Sequence, residues 1–313
     1  MNWDDESLAL LRCPATGERL HREGFSLVTP SGRNTYRINP SGIPLFAEQA
    51  WSAEGLAQQQ HYDRVAPTYL ENLAYPHTQE YTRYLDQALL DEIGPAPLGT
   101  VAEICCGRGE AFHLLGERIA RGIGVDVSVG ILEAAARESS GASRSFVQGD
   151  ATRLPLASEA FDNVVVLGGI HHVNDRERMF GEIFRILKPG GRFYWREPVS
   201  DFLPWRMARA VIYRVSPALD RETEHPLISS ETIPRLTQAG FRLISWKTHG
   251  FLGFCLLMNS DVLVVNRWFR FVPGIRGFTR LMTGIDRLTL AIPGMGRAGL
   301  QVVGVAEKPG ASR

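Results

Sequence analysis

Five short apolar runs recur through the middle of the chain, at 101–105, 122–126, 145–148, 162–167 and 191–197. Between them, at 110–120, 128–137 and 175–187, apolar positions return with helical period. Strands that alternate with helices build a parallel sheet with right-handed crossovers, so the pattern predicts an α/β fold. Ligands of such a sheet bind outside the carboxyl ends of its strands. Further along, Ser230 opens a helix that Gly240 closes as its C-cap, and a strand follows at 241–247. Residues 1–48 carry short alternating runs broken by turn glycines, such as Phe25-Ser-Leu-Val and Thr35-Tyr-Arg-Ile, which predicts small antiparallel strands. Residues 52–93 read as helical, with Tyr62, Val65, Ala66 and Tyr69, then Tyr81, Tyr84 and Leu85, at the matching spacing.

Composition narrows the class. The chain has 313 residues, 44% apolar and 22% charged, as expected of a globular protein with room for a large domain and a smaller one. Thirty-four basic residues balance 34 acidic ones, which speaks against a protein whose affinity rests on a phosphate backbone. The four cysteines, Cys13, Cys105, Cys106 and Cys255, form no disulfide framework, and a reducing cytoplasm is the natural setting. The acidic N-terminus is no signal peptide. No run reaches the roughly 18 uncharged apolar residues that span a bilayer.

The candidate chemistry centres on 101–109, Val-Ala-Glu-Ile-Cys-Cys-Gly-Arg-Gly. An apolar strand runs into a Gly-x-Gly turn and then at once into a helix. Glycine lets a ligand approach bare backbone, since it lacks Cβ and tolerates positive φ. Asp126 lies 23 residues past Glu103 at the end of the next strand, where a carboxylate accepts hydrogen bonds from ribose hydroxyls. A dinucleotide site wants a third glycine and a helix N-terminus open to pyrophosphate. Here Phe112 stands in the glycine's place and Glu110 opens the helix. A carboxylate there repels phosphate and suits a cationic or zwitterionic ligand; S-adenosylmethionine, with a sulfonium and an amine and no phosphate, is such a ligand.

The segments around this turn resemble the class I S-adenosylmethionine-dependent methyltransferases. Residues 101–109 resemble the family's first motif, although Cys105 stands where a glycine is usual; a similar Cys-Cys-Gly occurs in quinone-pathway methyltransferases. Gly124-Val-Asp126-Val-Ser128 resembles the ribose segment, and Gln148-Gly-Asp150-Ala-Thr-Arg-Leu-Pro155 the adenine segment. The stretch from Phe161 to Val173 resembles the fourth strand with its loop, and Leu187-Lys-Pro-Gly-Gly-Arg-Phe-Tyr194 the turn into the fifth. The resemblance implies a Rossmann-like seven-stranded sheet with helices on both faces, a small mainly-β N-terminal domain and helical insertions, the last strand (300–306) running antiparallel. It implies S-adenosylmethionine as cofactor, held by Glu103, Cys105, Gly107, Gly109, Asp126, Val127, Asp150, Ala151, Leu167 and Tyr62. For Asp150 the plainer alternative is a turn cap, and for Tyr62 an aromatic in the core face of a helix. His171 and His172, just past the fourth strand, are the candidates for a catalytic base, against the alternative that they shape the loop. Glu197 and His225 are weaker candidates.

The expected division is a small domain at 1–48, a helical leader or cap at 49–95, and the methyltransferase domain at 96–313 with insertions at 199–228 and 251–297. The first unit resembles a zinc ribbon, but Thr16 stands where the second cysteine of Cys-Pro-x-Cys belongs, so no metal is expected. The insertion at 251–297 mixes apolar residues with six arginines and two aspartates and has no lysine or glutamate. That suits a lid over a greasy substrate or a peripheral membrane contact; a packed helical hairpin or a dimer contact fits equally. The leading expectation is methyl transfer to a small, apolar acceptor such as a quinone, isoprenoid, lipid or secondary metabolite, in a cytoplasmic protein that contacts no nucleic acid. An RNA methyltransferase and a non-catalytic cofactor-binding subunit are the alternatives.

Overall fold

The computed structural model describes residues 3–47, 71–139, 143–207, 225–258 and 266–310. A short helix, α1 (Asp5–Ala9), leads into a three-stranded antiparallel sheet of β1 (His21–Glu23), β2 (Ser26–Val28) and β3 (Thr35–Arg37). Then come α2 (Pro76–Ile93), β4 (Gly99–Ile104), α3 (Glu110–Leu115), β5 (Ile119–Asp126), α4 (Val129–Glu138), β6 (Arg144–Gln148) and β7 (Phe161–Leu167). The chain continues with α5 (Arg176–Ile186), β8 (Leu187–Pro198), α6 (Ser229–Gln238), β9 (Arg242–His249), α7 (Leu252–Leu257), α8 (Ile275–Ala291) and β10 (Gln301–Glu307).

The central sheet has seven strands in the order β6-β5-β4-β7-β8-β10-β9. Strands β4 to β8 pair in parallel, and β10 runs antiparallel to both β8 and β9. The order reverses between β4 and β7, and at such a switch the loops leave in opposite directions and open a crevice. The strand period sorts side chains between two cores. Val164, Val166, Phe193 and Trp195 face α5, α6 and the N-terminal unit, whereas Val165 and Tyr194 face α2, α3 and α4. Helices therefore cover both faces, which is why these strands read as continuous apolar runs.

Several boundaries differ from those read in the sequence; β8, for one, starts at Leu187 rather than at 191. The helix expected over 110–120 stops at Leu115, because Gly116 turns to φ 53°. Arg144 donates to the carbonyls of Gly116 and Ile119 at 2.7 and 2.9 Å, taking up acceptors that the short helix leaves open. Strand β5 then starts at Ile119 rather than at 122.

The N-terminal unit meets one sheet edge. Phe46 N–H donates to the Gln148 carbonyl at 3.0 Å and Gln148 N–H to the Pro44 carbonyl at 2.9 Å, beside β6. Trp3, Leu11, Leu27 and Tyr36 join the same apolar core as Ile104 and Val125. A single bridge, Leu45 opposite Gln148, covers the end of the edge strand β6. Cys13 is buried with its Sγ 3.0 Å from the Tyr36 hydroxyl. Among the described residues no group of three or more potential metal ligands comes together. Nor is any described helix long and apolar enough to cross a membrane.

The described helices of the insertion at 251–297 pack chiefly on α2. Helices α7 and α8 pack on the outer side of α2, around Tyr81, Tyr84, Leu85, Leu257 and Ile275. Tyr81 donates to buried Asp286 at 2.5 Å, tying α2 to α8.

The tightest contact in the sheet is Gly304 of β10 under Trp195 of β8, whose side chain is fully buried. A Cβ at Gly304 would stand 2.0 Å from the indole ring. The Gly304→Ala variant is expected to lose about 3 kcal/mol of stability in thermal or urea denaturation, since a buried indole has no space to retreat into. Wild-type stability would mean that the sheet repacks there.

Candidate active site

Strand β4 ends at the glycine turn. The buried Glu103 carboxylate accepts from the N–H groups of Ala111 at 2.8 Å and Phe112 at 3.3 Å. Those are orphan donors of the first turn of α3, whose N-cap is Gly109 at φ 79° and offers no side chain. Glu103 therefore does from the preceding strand what a capping side chain does locally. Burial pushes its carboxyl well above the usual range; the two N–H donors oppose the shift and nearby Glu110 adds to it.

The turn itself is left-handed at Cys105 (φ 54°), Gly107 (φ 51°) and Gly109. A cysteine stands in a conformation that favours glycine, which gives the departure at this position a structural meaning. Gly169 complements it: a Cβ there would lie 2.3 Å from the Cys105 Cβ. Burial keeps the Cys105 and Cys106 thiols well above the ordinary range, and Asp126 raises both further. Both are held in the protonated, weakly nucleophilic form at neutral pH.

Asp126 ends β5 and is partly exposed. One carboxylate oxygen accepts from Gly107 N–H and the other from Ser128 N–H, each at 2.9 Å. Each oxygen has a second lone pair. Burial raises this carboxyl too, against the backbone donors of Ser128 and Gly107. Val127 beside it is partly exposed, and its carbonyl takes the Gln148 amide at 3.2 Å. Asp150 makes the turn that sequence allows for: Oδ1 accepts from Thr152 N–H at 2.8 Å and its hydroxyl at 2.7 Å. Ala151 is buried and Leu167, the last residue of β7, is half-buried. Tyr62 lies outside the described residues.

Past β7 the chain turns at Gly168 (φ 72°) into a single 3-10 turn, Ile170–His172. Glu197, near the end of β8 and fully buried, clamps this loop. Its Oε1 accepts from Gly169 N–H at 2.7 Å and Ile170 N–H at 2.8 Å. Its Oε2 meets His171 Nδ1 at 2.8 Å, with His171 N–H at 3.4 Å. A carboxylate accepts only, so Nδ1 carries the proton and Nε2 is left as the ring's acceptor. The His172 ring lies 3.8 Å from that of His171, and His225 N–H donates to the His171 carbonyl at 2.9 Å. Sequence reasoning ranked Glu197 low. The signal was there, an acid at the carboxyl end of an apolar strand, but its partners were not visible.

The carboxyl ends of β4, β5, β7 and β8 thus converge on one crevice bearing Cys105, Asp126, His171 and Glu197. A Cβ built at Gly107 or at Gly168 meets no atom within 4 Å, so open space stands before both turns. Carboxylates and bare backbone stand at that space, with Glu110 at the start of α3 where a phosphate would meet the helix. Such a lining fits S-adenosylmethionine.

The comparisons with known proteins agree. A family model described as a methyltransferase domain matches residues 102–195. The chloroplastic 2-phytyl-1,4-beta-naphthoquinone methyltransferase of Arabidopsis thaliana is 32% identical over 52% of this chain and 68% of its own length. A demethylmenaquinone methyltransferase of Thermobifida fusca is 27% identical over 53% of this chain and 78% of its own. In the solved complex of the Haloferax volcanii Trm112 methyltransferase activator with a putative methyltransferase, one chain superposes with TM-score 0.55 at 18% identity, covering 82% of this chain and 99% of its own; at that identity the likeness bears on fold. The chain belongs to the class I S-adenosylmethionine-dependent methyltransferases, and S-adenosylmethionine is its cofactor.

The strained cysteine gives a direct test. Cys105→Gly is expected to stay within about 1 kcal/mol of wild type in thermal denaturation, because relief of positive φ offsets the lost side chain and the freer unfolded chain. Cys105→Val is expected to lose about 2 kcal/mol, since a β-branched residue is the least tolerant of that conformation. Equal stability of the two variants would remove the strain argument.

Proposed function

We propose that this methyltransferase acts on a small lipophilic acceptor of the quinone kind, with His171 as the base that takes the acceptor's proton. The observation that carries the base is the Glu197–His171 pair. A buried carboxylate fixes one ring nitrogen as donor and leaves the other as a held acceptor on the loop that follows β7. The acceptor class is supported by the quinone-methylating relatives, each of which aligns with about half of this chain.

The residues that would hold the cofactor are those around the first two turns. Gly107 and Gly109 would offer backbone, Asp126 would accept from the ribose hydroxyls and Asp150 from the adenine amino group, with the Ala151 N–H donating to the ring; Val127 and Leu167 would supply apolar walls. The cofactor supplies an electrophilic methyl carbon on a sulfonium. Alignment of the acceptor oxygen or carbon with that methyl group is the protein's main task, and alignment contributes on the order of 7–11 kcal/mol to such reactions. A hydroxyl acceptor must also lose its proton. His171 Nε2 takes it, and Glu197 stabilises the imidazolium that results, as a buried acid does for a catalytic histidine elsewhere. The acidic lining that repels phosphate favours both cationic species.

Two variants separate binding from chemistry. Asp126→Ala is expected to abolish S-adenosylmethionine binding in a calorimetric titration that wild type passes at micromolar affinity. His171→Ala is expected to bind the cofactor as wild type does and to transfer labelled methyl groups to quinol-type acceptors about 10²–10⁴-fold more slowly. Undiminished turnover in His171→Ala would leave the histidine a loop-shaping role and overturn its assignment as base.

A further inference from the structure

We propose that the outer face of α8, with the 3-10 turn Asn266–Phe271 before it, is a docking surface for an anionic lipid bilayer. Helix α8 is turned inside out. Its buried residues include Thr279, Thr283 and Asp286. Its exposed side carries Phe278, Leu281, Ile285, Leu288 and Ile292, at steps of three and four residues that put them on one stripe. Leu281 is 60% and Leu288 74% exposed. The stripe spans about 21 Å of helix at 1.5 Å per residue. Trp268 and Phe271 extend it beyond the helix, 59% and 64% exposed.

The rotation of the helix is fixed by its polar side. Asp286 is fully buried and accepts from the Tyr81 hydroxyl at 2.5 Å, from Gly253 N–H at 2.9 Å and from Phe254 N–H at 3.3 Å. Turning the apolar stripe inward would strand that carboxylate and three donors. The stripe therefore faces outward by construction. Most of the exposed large apolar side chains among the described residues lie on this one element and its neighbours.

Charge selects the occupant. Between 266 and 297 the charged residues are Arg267, Arg270, Arg276, Arg280, Arg287, Arg297 and the buried Asp286. The acids facing them come from α2 and the residues before it: Glu71 pairs with Arg270 at 2.7 Å, and Glu80 lies 3.8 and 3.7 Å from Arg276 and Arg280. The surface keeps a positive excess. Arg267 and Arg270 stack over the exposed rings of Trp268 and Phe271 at 5.7 and 4.8 Å, placing cations beside the aromatics. An apolar stripe with arginines along one side of the helix, Arg276, Arg280 and Arg287, and with aromatics before its start is the pattern of a helix lying in a lipid headgroup layer. A second copy of the chain would bring two surfaces of like, positive excess within about one Debye length of each other, whereas an anionic bilayer offers the opposite sign. The inference deepens the reading of the acceptor as lipophilic, because an acceptor dissolved in lipid is reached from a bound enzyme.

The test is sedimentation of the full chain with vesicles of phosphatidylcholine alone and of phosphatidylcholine mixed with phosphatidylglycerol. The protein is expected to sediment with the mixed vesicles, weakly with the neutral ones, and less as salt is raised. Leu281→Gln with Leu288→Gln should cut binding about tenfold or more while thermal stability stays at the wild-type value, since both side chains are exposed. No sedimentation, equal sedimentation of the double variant, or a solution dimer that the double variant dissociates and that ignores vesicles would each overturn the proposal. Calorimetric cofactor binding and turnover of a short-chain quinol in vesicle-free buffer, on the same preparations, report separately on the reading of the acceptor.

Discussion

The buried Glu197 carboxylate is the contact on which the rest of the site depends. A carboxylate taken out of water is costly unless donors surround it. Here the donors are the backbone of Gly169 and Ile170 and the ring of His171, so burial of one acid dictates the path of a loop. The loop in turn brings Gly169 against Cys105, and only a residue without Cβ fits between them. Glu103 repeats the device one strand away, holding the start of α3 and with it the glycine turn. In both places a strand-borne acid satisfies the backbone of a loop that has few side chains of its own for the task.

The same acids set the character of the crevice. Glu103, Glu110 and Asp126 are all pushed upward by burial, which means that each gains from any positive charge brought beside it. A sulfonium and a protonated amine meet that need, and a pyrophosphate opposes it. The thiols of Cys105 and Cys106 are quieted by the same surroundings, so the turn offers shape and backbone rather than a nucleophile.

Around this centre the remaining elements act as walls. The N-terminal unit pairs with the edge at β6 and shares the core of the central sheet. Helix α2 contacts both the sheet and the α7–α8 pair, packing Leu89 and Ile93 of its last turns into the sheet core and Tyr81 and Leu85 of its earlier turns against the helix pair. The insertion thus extends the molecule sideways from α2 and leaves an apolar stripe outside.

The sequence alone was enough for whatever depends on neighbours in the chain. The period of the apolar runs predicts the parallel strands, the glycine turn after 101–105 and Asp126 at the end of the next strand point to a nucleoside site, and Glu110 with Phe112 point away from phosphate. The limit came where partners are distant. His171 and Glu197 are 26 residues apart in the chain and meet because β7 and β8 pair in parallel, with Leu167 opposite Arg196. For α8, the mix of apolar residues and arginines across 251–297 leaves a lid, a membrane contact, a packed hairpin and a dimer contact all open. Which way the helix faces was decided by Asp286 meeting Tyr81, 205 residues earlier. Local pattern determines which elements form, because helix and strand period are properties of adjacent residues; which face is buried and which acid meets which base is decided by contacts that exist only once the sheet has closed.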